Sequence, residues 1–349
     1  MWCFMKPKLL DSISASLLSQ MADRLQTWYA PNRLFHPWRV LWEKTKSPWC
    51  VWVSEVMLQQ TVIAAVTPKY IEFMKRFPTA QVFAEAEEES IRPYVSGLGY
   101  YRRFALLHKG ARQVSLEGYP QSRVEWQEIA GIGPYTSAAL ASITLNEAVG
   151  VVDGNVERVL ARIFNIQEMV STPQWKSLFS AFMSKLTELG KPGDLNQSVM
   201  ELGQTICRIQ SPRCIECPVS TNCSAYSLQT QSQCPRPKNS KEFINVSLLA
   251  TLHTHGESVF LVKRSKESRF LKGTTGFPLI ESQKKSLPSK NTVKHSITKY
   301  KITAKVSHSR SEPVGEGVWV DRSQMERFLL TSLDQKIWRL AQKQMVAEF

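Results

Sequence analysis

Four cysteines lie close together in the sequence, at a spacing that suits an inorganic centre. Cys207, Cys214, Cys217 and Cys223 follow the pattern C-x6-C-x2-C-x5-C. The thiolates of one short loop can surround either an iron–sulfur cluster or a zinc ion. Zinc sites more often use two paired C-x2-C knuckles, and only one such pair is present here, so the spacing favours a cluster. The chain has seven cysteines, an odd number for a disulfide framework, which favours metal ligation in a reducing compartment.

A glycine-containing turn between two helical patterns suits phosphate binding. Residues 129–136 include Gly131 and Gly133, and a helix of small residues over 137–142 follows. Glycines let the backbone turn tightly, so that its amides and the next helix N-terminus point outward toward a phosphate oxygen, whatever the base sequence. The pattern predicts a helix-hairpin-helix over residues 122–142.

An acidic residue stands about twenty positions after this turn, at the start of another helical pattern. Asp153 can act simply as the N-cap of that helix. Its flanking residues are apolar, however, so its carboxylate enters surroundings that exclude water. A partly desolvated carboxylate can oppose the positive charge of a sugar cation. The sequence leaves both roles open.

Composition and charge indicate the class of partner. The chain has 349 residues, 43% of them apolar, and a formal charge of +14. Basic side chains gain affinity for nucleic acid by releasing phosphate counterions, so nucleic acid is favoured over an anionic membrane. The one long uncharged stretch, residues 129–146, is interrupted by glycine and proline and does not suit a membrane span. The start of the chain does not follow the pattern of a secretory signal, and we expect a cytoplasmic protein.

Periodicity divides the chain into a helical part and a mixed part. Apolar residues recur at helical spacing up to about Tyr226, so residues 1–228 are predicted to form a mainly α domain. A stretch rich in Gln, Ser, Pro and Lys over 229–241 indicates an exposed linker. Beyond it, β-branched runs at 246–253 and 258–263 predict a hairpin within an α+β domain over 242–349. Residues 284–305 contain seven lysines and no acid, which is typical of a solvated surface or of one that faces DNA.

The glycine turn, Asp153 and the cysteine loop together resemble the endonuclease III superfamily of DNA glycosylases, over residues 20–226. Residues 53–61, Val-Ser-Glu-Val-Met-Leu-Gln-Gln-Thr, and residues 97–101, Gly-Leu-Gly-Tyr-Tyr, resemble its adenine-specific (MutY) family. The resemblance implies a helix-hairpin-helix glycosylase fold with one [4Fe–4S] cluster on the four cysteines of loop 207–223. It further implies a monomeric base-excision repair enzyme that binds double-stranded, nucleoid DNA and removes adenine mispaired with 8-oxoguanine or guanine.

The resemblance also implies roles for single residues. Glu55, in an apolar helix that would raise its pKa, is the general acid that protonates adenine N7, because unprotonated adenine leaves poorly. Asp153 stabilises the oxocarbenium-like sugar, electrostatically or covalently, before water adds. Tyr135 and Asn155 orient the acid, the sugar and the water. Tyr135 also occupies the position where strand-cutting relatives carry a lysine nucleophile, so no Schiff base forms there and we expect no lyase activity.

Other positions correspond to the family's DNA contacts. The target adenine must leave the double helix before it reacts, and the resemblance places Gln60 and Tyr100 in the resulting gap, with Thr61 near the opposite base. Gly131 and Gly133 belong to the phosphate-binding hairpin. The family's Pro-Trp-Arg run ahead of the catalytic helix appears here at residues 41–43 as Leu-Trp-Glu, which departs from the pattern.

The C-terminal part resembles, more weakly, the family's Nudix-like domain for 8-oxoguanine recognition, through residues 270–278, which end in Phe-Pro. The acidic Nudix box is missing from its sequence, so we expect no pyrophosphatase. The recognition loop usually reads His-x-Phe-Ser-His, whereas residues 295–299 read His-Ser-Ile-Thr-Lys. Thr298 keeps a hydroxyl there, but the aromatic ring and the second imidazole are lost.

Two other interpretations stay open at this point. An endonuclease III-like enzyme acting on oxidised pyrimidines is disfavoured by Tyr135 and by the run that contains Glu55. A non-catalytic DNA-binding protein built on an iron–sulfur fold would bind duplex DNA tightly without releasing a base.

Overall fold

The computed structural model describes residues 14–99, 102–237, 242–265, 267–283, 290–313 and 315–347. They divide into two units, each described here by itself. The first contains residues 14–85 and 102–237 and consists of helices joined by turns. The second contains residues 86–99 and 242–347 and combines helices with a seven-stranded sheet. The predicted fold class, a mainly α part followed by a mixed α+β part, is therefore confirmed.

Helices of the first unit often begin at a proline, whose fixed φ suits the first turn and whose missing N–H costs nothing there. Others begin behind a capping hydroxyl, as at Ser14, Thr79 and Ser122. The helices of both units are α1 (Ala15–Asn32), α2 (Pro37–Thr45), α3 (Pro48–Leu58), α4 (Ile63–Arg76), α5 (Ala80–Ala84), α6 (Glu88–Val95), α7 (Arg102–Glu117), α8 (Arg123–Glu128), α9 (Pro134–Thr144), α10 (Gly154–Ile163), α11 (Pro173–Thr187), α12 (Pro192–Thr205), α13 (Ser224–Ser227), α14 (Met325–Phe328) and α15 (Ser332–Ala347).

Helix α3 lies in the core of the first unit. Its side chains are buried on nearly every face, as expected of a helix without a polar stripe. Trp49 packs against Trp52, Phe73 and Phe83, with ring centroids 5.4 to 6.3 Å apart. Glu55 is the one acidic or basic residue of this helix. The rigid surroundings therefore fix the backbone from which the predicted general acid projects.

The predicted helix-hairpin-helix is present as α8, a turn and α9. Gly131 has a φ of 83°, and a Cβ there would lie 2.7 Å from the Cβ of Leu106, so both the turn and the close approach require glycine. Gly133 has an ordinary φ of −94° and open space around it. It leaves the N-terminus of α9 uncovered, which keeps the amides there accessible to a phosphate.

The second unit is built around a mixed sheet. Its strands are β1 (Ile244–His255), β2 (Ser258–Lys263), β3 (Thr275–Gly276), β4 (Leu279–Glu281), β5 (Thr292–Ile297), β6 (Tyr300–Ser309) and β7 (Gly317–Asp321). The predicted hairpin is confirmed as β1 and β2, which pair antiparallel through Thr254 with Val259 and His255 with Ser258. Strands β1 and β6 run parallel, and β5 returns antiparallel to β6. Apolar side chains of α15, among them Leu333 and Ile337, complete the core.

The predicted linker over 229–241 is described only up to residue 237, and this part belongs to the first unit. Cys234 is 2% exposed, and the Arg236 amide donates to the Glu168 carbonyl at 3.1 Å. The polar composition predicted an exposed linker. The carbonyls of Gln231 and Cys234 instead accept hydrogen bonds from the buried Arg162, so this part of the segment packs against the first unit. Residues 86–99, predicted to lie in the helical domain, group with the second unit instead.

Within the described ranges, no helix combines the length and the apolar character that a membrane span requires.

Candidate active site

Helices α3, α9 and α10 bring three predicted catalytic side chains together. The Tyr135 hydroxyl, from the first turn of α9, hydrogen-bonds the Glu55 carboxyl, and both groups interact electrostatically with Asp153 at the start of α10. Burial raises the pKa of Glu55 to about 7, and the negative charge of Asp153 adds to the rise. The hydrogen bond from Tyr135 and the positive charge of Arg39 oppose it. Glu55 is thus able to hold or release a proton near neutral pH.

Asp153 is the N-cap of α10, and the capping role that the sequence left open is real. Its Oδ1 accepts from the backbone amides of Asn155 and Val156 at 2.9 and 2.8 Å. Its Oδ2 accepts from the side-chain amide of Asn155 at 2.8 Å. Three N–H donors therefore fix the carboxylate in one orientation while its charge acts on Glu55 and Tyr135. The two roles weighed from the sequence are compatible in one side chain.

Tyr135 stays protonated in these surroundings. Burial raises the pKa of its phenol well above the ordinary value of 10, and the negative charges of Glu55 and Asp153 act in the same direction. The hydroxyl is therefore a donor, and the carboxylate of Glu55 is the acceptor.

A pocket opens beside Glu55. About half of its remaining lining residues are aromatic or aliphatic and the others are polar or charged: His36, Trp38, Arg39, Trp42, Val51, Ser54, Leu58, Ile63, Ala139, Ser142, Ile143, Val151, Asn196, Gln197, Met200, Glu201 and Gln204. A cleft that offers both apolar surface and polar groups suits a flat, partly polar ligand. Glu55 thus faces a space in which a planar base can lie.

Arg39 and Glu201 form an ion pair in this pocket that sequence reasoning missed. The Arg39 Nε also donates to Gln197 Oε1 at 2.8 Å, and Glu201 Oε2 accepts from the Leu34 amide at 2.9 Å. The Glu201 side chain is only 3% exposed. These bonds hold a guanidinium and a carboxylate side by side at the pocket wall.

The placement of the Pro-Trp-Arg run at residues 41–43 is wrong. Residues 37–39 read Pro-Trp-Arg literally, and the structure puts Trp38 and Arg39 in the pocket. Glu43 instead pairs with Arg33 at the surface. The literal run forms the first turn of α2, and residues 41–43 follow it in the same helix. The literal motif was the signal that would have identified Arg39.

The predicted DNA-contact residues Gln60 and Thr61 follow the end of α3. Gln60 is exposed and has a φ of 57°, which is uncommon for a residue with a side chain. Arg103 fixes this turn, because its guanidinium donates to the Gln59 carbonyl and, at 3.1 Å, to the Thr61 hydroxyl. Tyr100, the other predicted wedge, lies outside the described residues.

Asn155 is connected to the cysteine loop through Arg158. The Arg158 Nη2 donates to Asn155 Oδ1 at 3.0 Å and to the Gly203 carbonyl at 2.7 Å, while its Nε donates to the Cys207 carbonyl at 2.8 Å. The side-chain amide of Asn155 is therefore held between Arg158 and Asp153.

The four cysteines of loop 207–223 are free thiols, each half-buried. Cys217 interacts electrostatically with Cys207, Cys214 and Cys223, and its burial raises the pKa of its thiol to about 12. Thiols that repel one another as anions in this way suit a shared cationic centre, whose charge would remove the penalty. Within the described ranges, however, no three Cys, His, Asp or Glu side chains converge tightly enough to hold a metal ion.

Thr298 lies in the second unit, at the tip of the β5–β6 hairpin. Ile297 pairs with Tyr300, so Thr298 and Lys299 form a two-residue turn. Thr298 is exposed and has a φ of 49°, a strained conformation for a β-branched residue. The two-residue turn accounts for the positive φ, and it leaves the Thr298 side chain exposed.

Residues 53–185 match the HhH-GPD superfamily of base excision DNA repair proteins. Curated relatives called adenine DNA glycosylase include those of Arabidopsis thaliana, 38% identical over 247 residues, and Homo sapiens, 40% identical over 217 residues. Another, from Buchnera aphidicola subsp. Schizaphis graminum, is 27% identical over 249 residues. The matches cover 64%, 60% and 70% of this chain and 39%, 40% and 72% of those relatives. The chain therefore spans about two fifths of the length of the plant and human proteins.

Two solved structures share the fold. A thermostable thymine-DNA glycosylase aligns with a TM-score of 0.53 at 23% identity, over 62% of this chain and 100% of its own. Endonuclease III in a non-covalent DNA complex aligns with a TM-score of 0.50 at 18% identity, over 63% of this chain and 99% of its own. At these identities the likeness shows the helical fold alone, and the substrate has to be inferred from the residues of the site.

Proposed function

We propose that the chain belongs to the adenine DNA glycosylase (MutY) family of the endonuclease III superfamily and that it releases adenine from double-stranded DNA in base excision repair. The match to the HhH-GPD superfamily and the curated relatives support this proposal. The observation that carries the proposal is a pair of interacting carboxyl groups, Glu55 in the pocket lining and Asp153 at the start of α10. Glu55 has a pKa raised to about 7, while Asp153 is held by three N–H donors. Two carboxyl groups in different environments can divide acid and electrostatic work in glycosidic-bond cleavage.

In the proposed reaction, Glu55 donates its proton to adenine N7. The C1′–N9 bond then breaks and its electron pair leaves with adenine, so that positive charge develops on the deoxyribose. Asp153 opposes this charge from a fixed position, which costs no reorganisation during the reaction. Water adds to C1′, and its proton returns to the Glu55 carboxylate. Tyr135 supplies no amine for a Schiff base, so the product is an abasic site in an intact strand.

The pocket suits adenine as the extruded base. Adenine presents a donor at N6 and an acceptor at N1, and the paired Glu201 and Arg39 offer an acceptor and donors at the pocket wall. Trp38, Trp42 and Leu58 supply apolar surface for the ring. A base must leave the stack to reach Glu55, and the exposed Gln60 is suited to fill the gap.

Double-stranded DNA with adenine opposite 8-oxoguanine or guanine is the proposed substrate. The charge of +14 supports phosphate binding, and the hairpin at Gly131 and Gly133 leaves backbone amides accessible. A panel of duplexes tests the choice: A:8-oxoguanine, A:G, A:T and thymine glycol:A, each with the chain in excess. We expect base release from the first two. Release of thymine glycol in preference to adenine would instead favour an endonuclease III-like activity.

We further propose that Cys207, Cys214, Cys217 and Cys223 hold one [4Fe–4S] cluster. The support is their spacing, their free thiols and the mutual repulsion that a cationic centre would relieve. Such a cluster would supply structural or electron-transfer chemistry, and the single close C-x2-C pair favours it over zinc, which usually uses two such pairs. Protein purified without oxygen should absorb at about 400 nm and contain about four irons per chain. Stoichiometric zinc without iron would contradict this.

A pH profile tests the acid. Since the pKa of Glu55 is raised to about 7, the protonated form is lost as the pH rises through that value. The rate of base release per unit of free enzyme should therefore fall about tenfold per pH unit above it. Tyr135→Phe removes a hydrogen bond that lowers the pKa of Glu55, so the descending limb should move to higher pH. A flat profile between pH 6 and about pH 9, where a group of this pKa changes charge, would exclude Glu55 as the acid.

The turn at Thr298 tests lesion recognition. Guanine and 8-oxoguanine differ at N7–H and at the 8-oxo oxygen, and the exposed hydroxyl of Thr298 can accept from N7–H. We expect a preference for A:8-oxoguanine over A:G that is narrower than in relatives with the usual loop. Thr298→Ala should reduce it further, by about 1 to 2 kcal/mol, whereas Thr298→Ser should keep it.

Ser296→Ala is the control, because Ser296 is exposed on the same hairpin but away from its tip. Binding constants and single-turnover rates on the two duplexes give the ratio. An unchanged ratio in Thr298→Ala would show that this turn does not read the lesion.

A further inference from the structure

We propose that Arg162 is a positioning residue for the cysteine centre. Its buried guanidinium balances the negative charge of the ligated sulfurs, and its hydrogen bonds connect residues 231–234 to the cysteine loop. The inference rests on the proposed cluster. It concerns a residue that the proposed base chemistry does not use.

Arg162 lies near the end of α10 and is only 3% exposed. One edge of its guanidinium faces the start of the cysteine loop. Nη1 donates to the Cys207 sulfur and carbonyl, both at 3.3 Å, and to the Arg208 carbonyl at 2.7 Å. Nη2 donates to the Ile209 carbonyl at 3.0 Å. The same group therefore contacts a predicted ligand atom and the carbonyls of Cys207 and of the two residues that follow it.

The other edge of the guanidinium faces the segment after the loop. Nε donates to the carbonyls of Gln231 and Cys234, both at 3.1 Å. From this segment, the Gln231 side-chain amide also contacts the Cys214 sulfur at 3.9 Å. One buried side chain thus connects the beginning of the cysteine loop with the segment that packs against it.

The charge of Arg162 requires an anion. Five of its six acceptors are neutral carbonyls, and none of the ion pairs found among the described residues contains Arg162. A buried cation whose partners are all neutral is costly. Of its six acceptors, only the Cys207 sulfur can carry a negative charge, which it does when it ligates iron. A cluster with four thiolate ligands would supply the missing negative charge.

Two neighbouring arginines show what is particular to Arg162. Arg158 hydrogen-bonds Cys207 only at its carbonyl, and its other bonds go to Gly154, Asn155 and Gly203. Arg213, inside the loop, is exposed and pairs with Glu216 at 2.8 Å. Arg213→Gln is therefore a matched control, since it removes a positive charge from the same loop without removing a sulfur contact.

The test compares wild type, Arg162→Gln, Arg162→Lys and Arg213→Gln, each purified without oxygen. Iron release to a chelator is followed by the absorbance at about 400 nm, and the midpoint potential of the cluster is measured by voltammetry. Arg162→Gln should release iron about tenfold faster than Arg213→Gln, because groups that support metal ligands contribute on this scale. Its potential should shift to lower values, because a nearby positive charge favours the reduced cluster.

Arg162→Lys separates charge from hydrogen bonding and decides the matter if Arg162→Gln does not fold. Lysine keeps the charge but cannot reach both segments, so we expect faster iron release with a potential close to that of wild type. Wild-type iron release and potential in both Arg162 variants would overturn the proposal. A potential that falls in Arg162→Lys as far as in Arg162→Gln would also overturn it. Either of these two results would reject the role of Arg162 and leave the cluster in place. Wild-type protein that contains no iron would instead reject the cluster.

Discussion

Glu55→Gln is expected to abolish adenine release while duplex binding survives. Glutamine has nearly the same shape and can still accept a hydrogen bond from Tyr135, but it has no proton to give to adenine N7. General acid catalysis supplies about 10²- to 10⁴-fold, and adenine leaves poorly without it. Single-turnover release of the free base from an A:8-oxoguanine duplex measures the effect, and a binding titration on the same duplex provides the comparison. Adenine excision near the wild-type rate would remove Glu55 from the mechanism.

The stability of the same variant separates lost chemistry from misfolding. The fold raises the pKa of Glu55 from 4.5 to about 7, so between these values the folded state binds more protons than the unfolded state. The free energy of unfolding therefore falls as pH rises from 4.5 to about 7. Above about pH 7 the loss is complete and amounts to at most about 3 kcal/mol. Glutamine does not ionise and avoids this cost. Glu55→Gln should consequently be at least as stable as wild type at pH 8 in thermal unfolding.

Asp153→Asn is expected to slow base release by several orders of magnitude. The substitution removes the negative charge that opposes the sugar cation, and electrostatic stabilisation of this kind contributes about 4 to 7 kcal/mol. Asparagine is itself a good N-cap, so its Oδ1 can still accept from the amides of Asn155 and Val156. Helix α10 should therefore remain intact. The single-turnover rate and the melting temperature together separate the two roles of this side chain.

A purely capping role would give the opposite pattern. Asp153→Asn would then lose less than tenfold in rate, while Asp153→Ala would lose about 1 kcal/mol of stability with a matching small effect on release. This outcome would demote Asp153 to a helix cap and leave the developing charge without its proposed partner.

Residues within contiguous motifs were well predicted from the sequence. Glu55 and Asp153 are almost a hundred positions apart, yet each stands in a run whose apolar neighbours fix its element and its burial. The helix-hairpin-helix was found for the same reason, because the φ of Gly131 requires a residue without a side chain. Such features depend on local chemistry, which the sequence states directly.

Residues whose role depends on tertiary contacts were missed. Arg39 was overlooked although residues 37–39 read Pro-Trp-Arg, and Glu201 gave no signal beyond an acid in an amphipathic helix. Arg162 resembles an ordinary polar residue near a helix end until the packing of residues 207–209 and 231–234 buries it. The polar composition of residues 229–237 wrongly indicated an exposed segment. Composition does not show that the carbonyls of this segment accept hydrogen bonds from a guanidinium distant in sequence.

Release of free adenine by the full chain tests the central claim most directly. The protein, in excess, is mixed with a duplex that carries one adenine opposite 8-oxoguanine, and free base and strand cleavage are followed separately. We predict that adenine appears as the free base and that the strand stays intact until alkali is added. Tight binding of the duplex without any adenine release, by protein that retains its fold, would contradict the account.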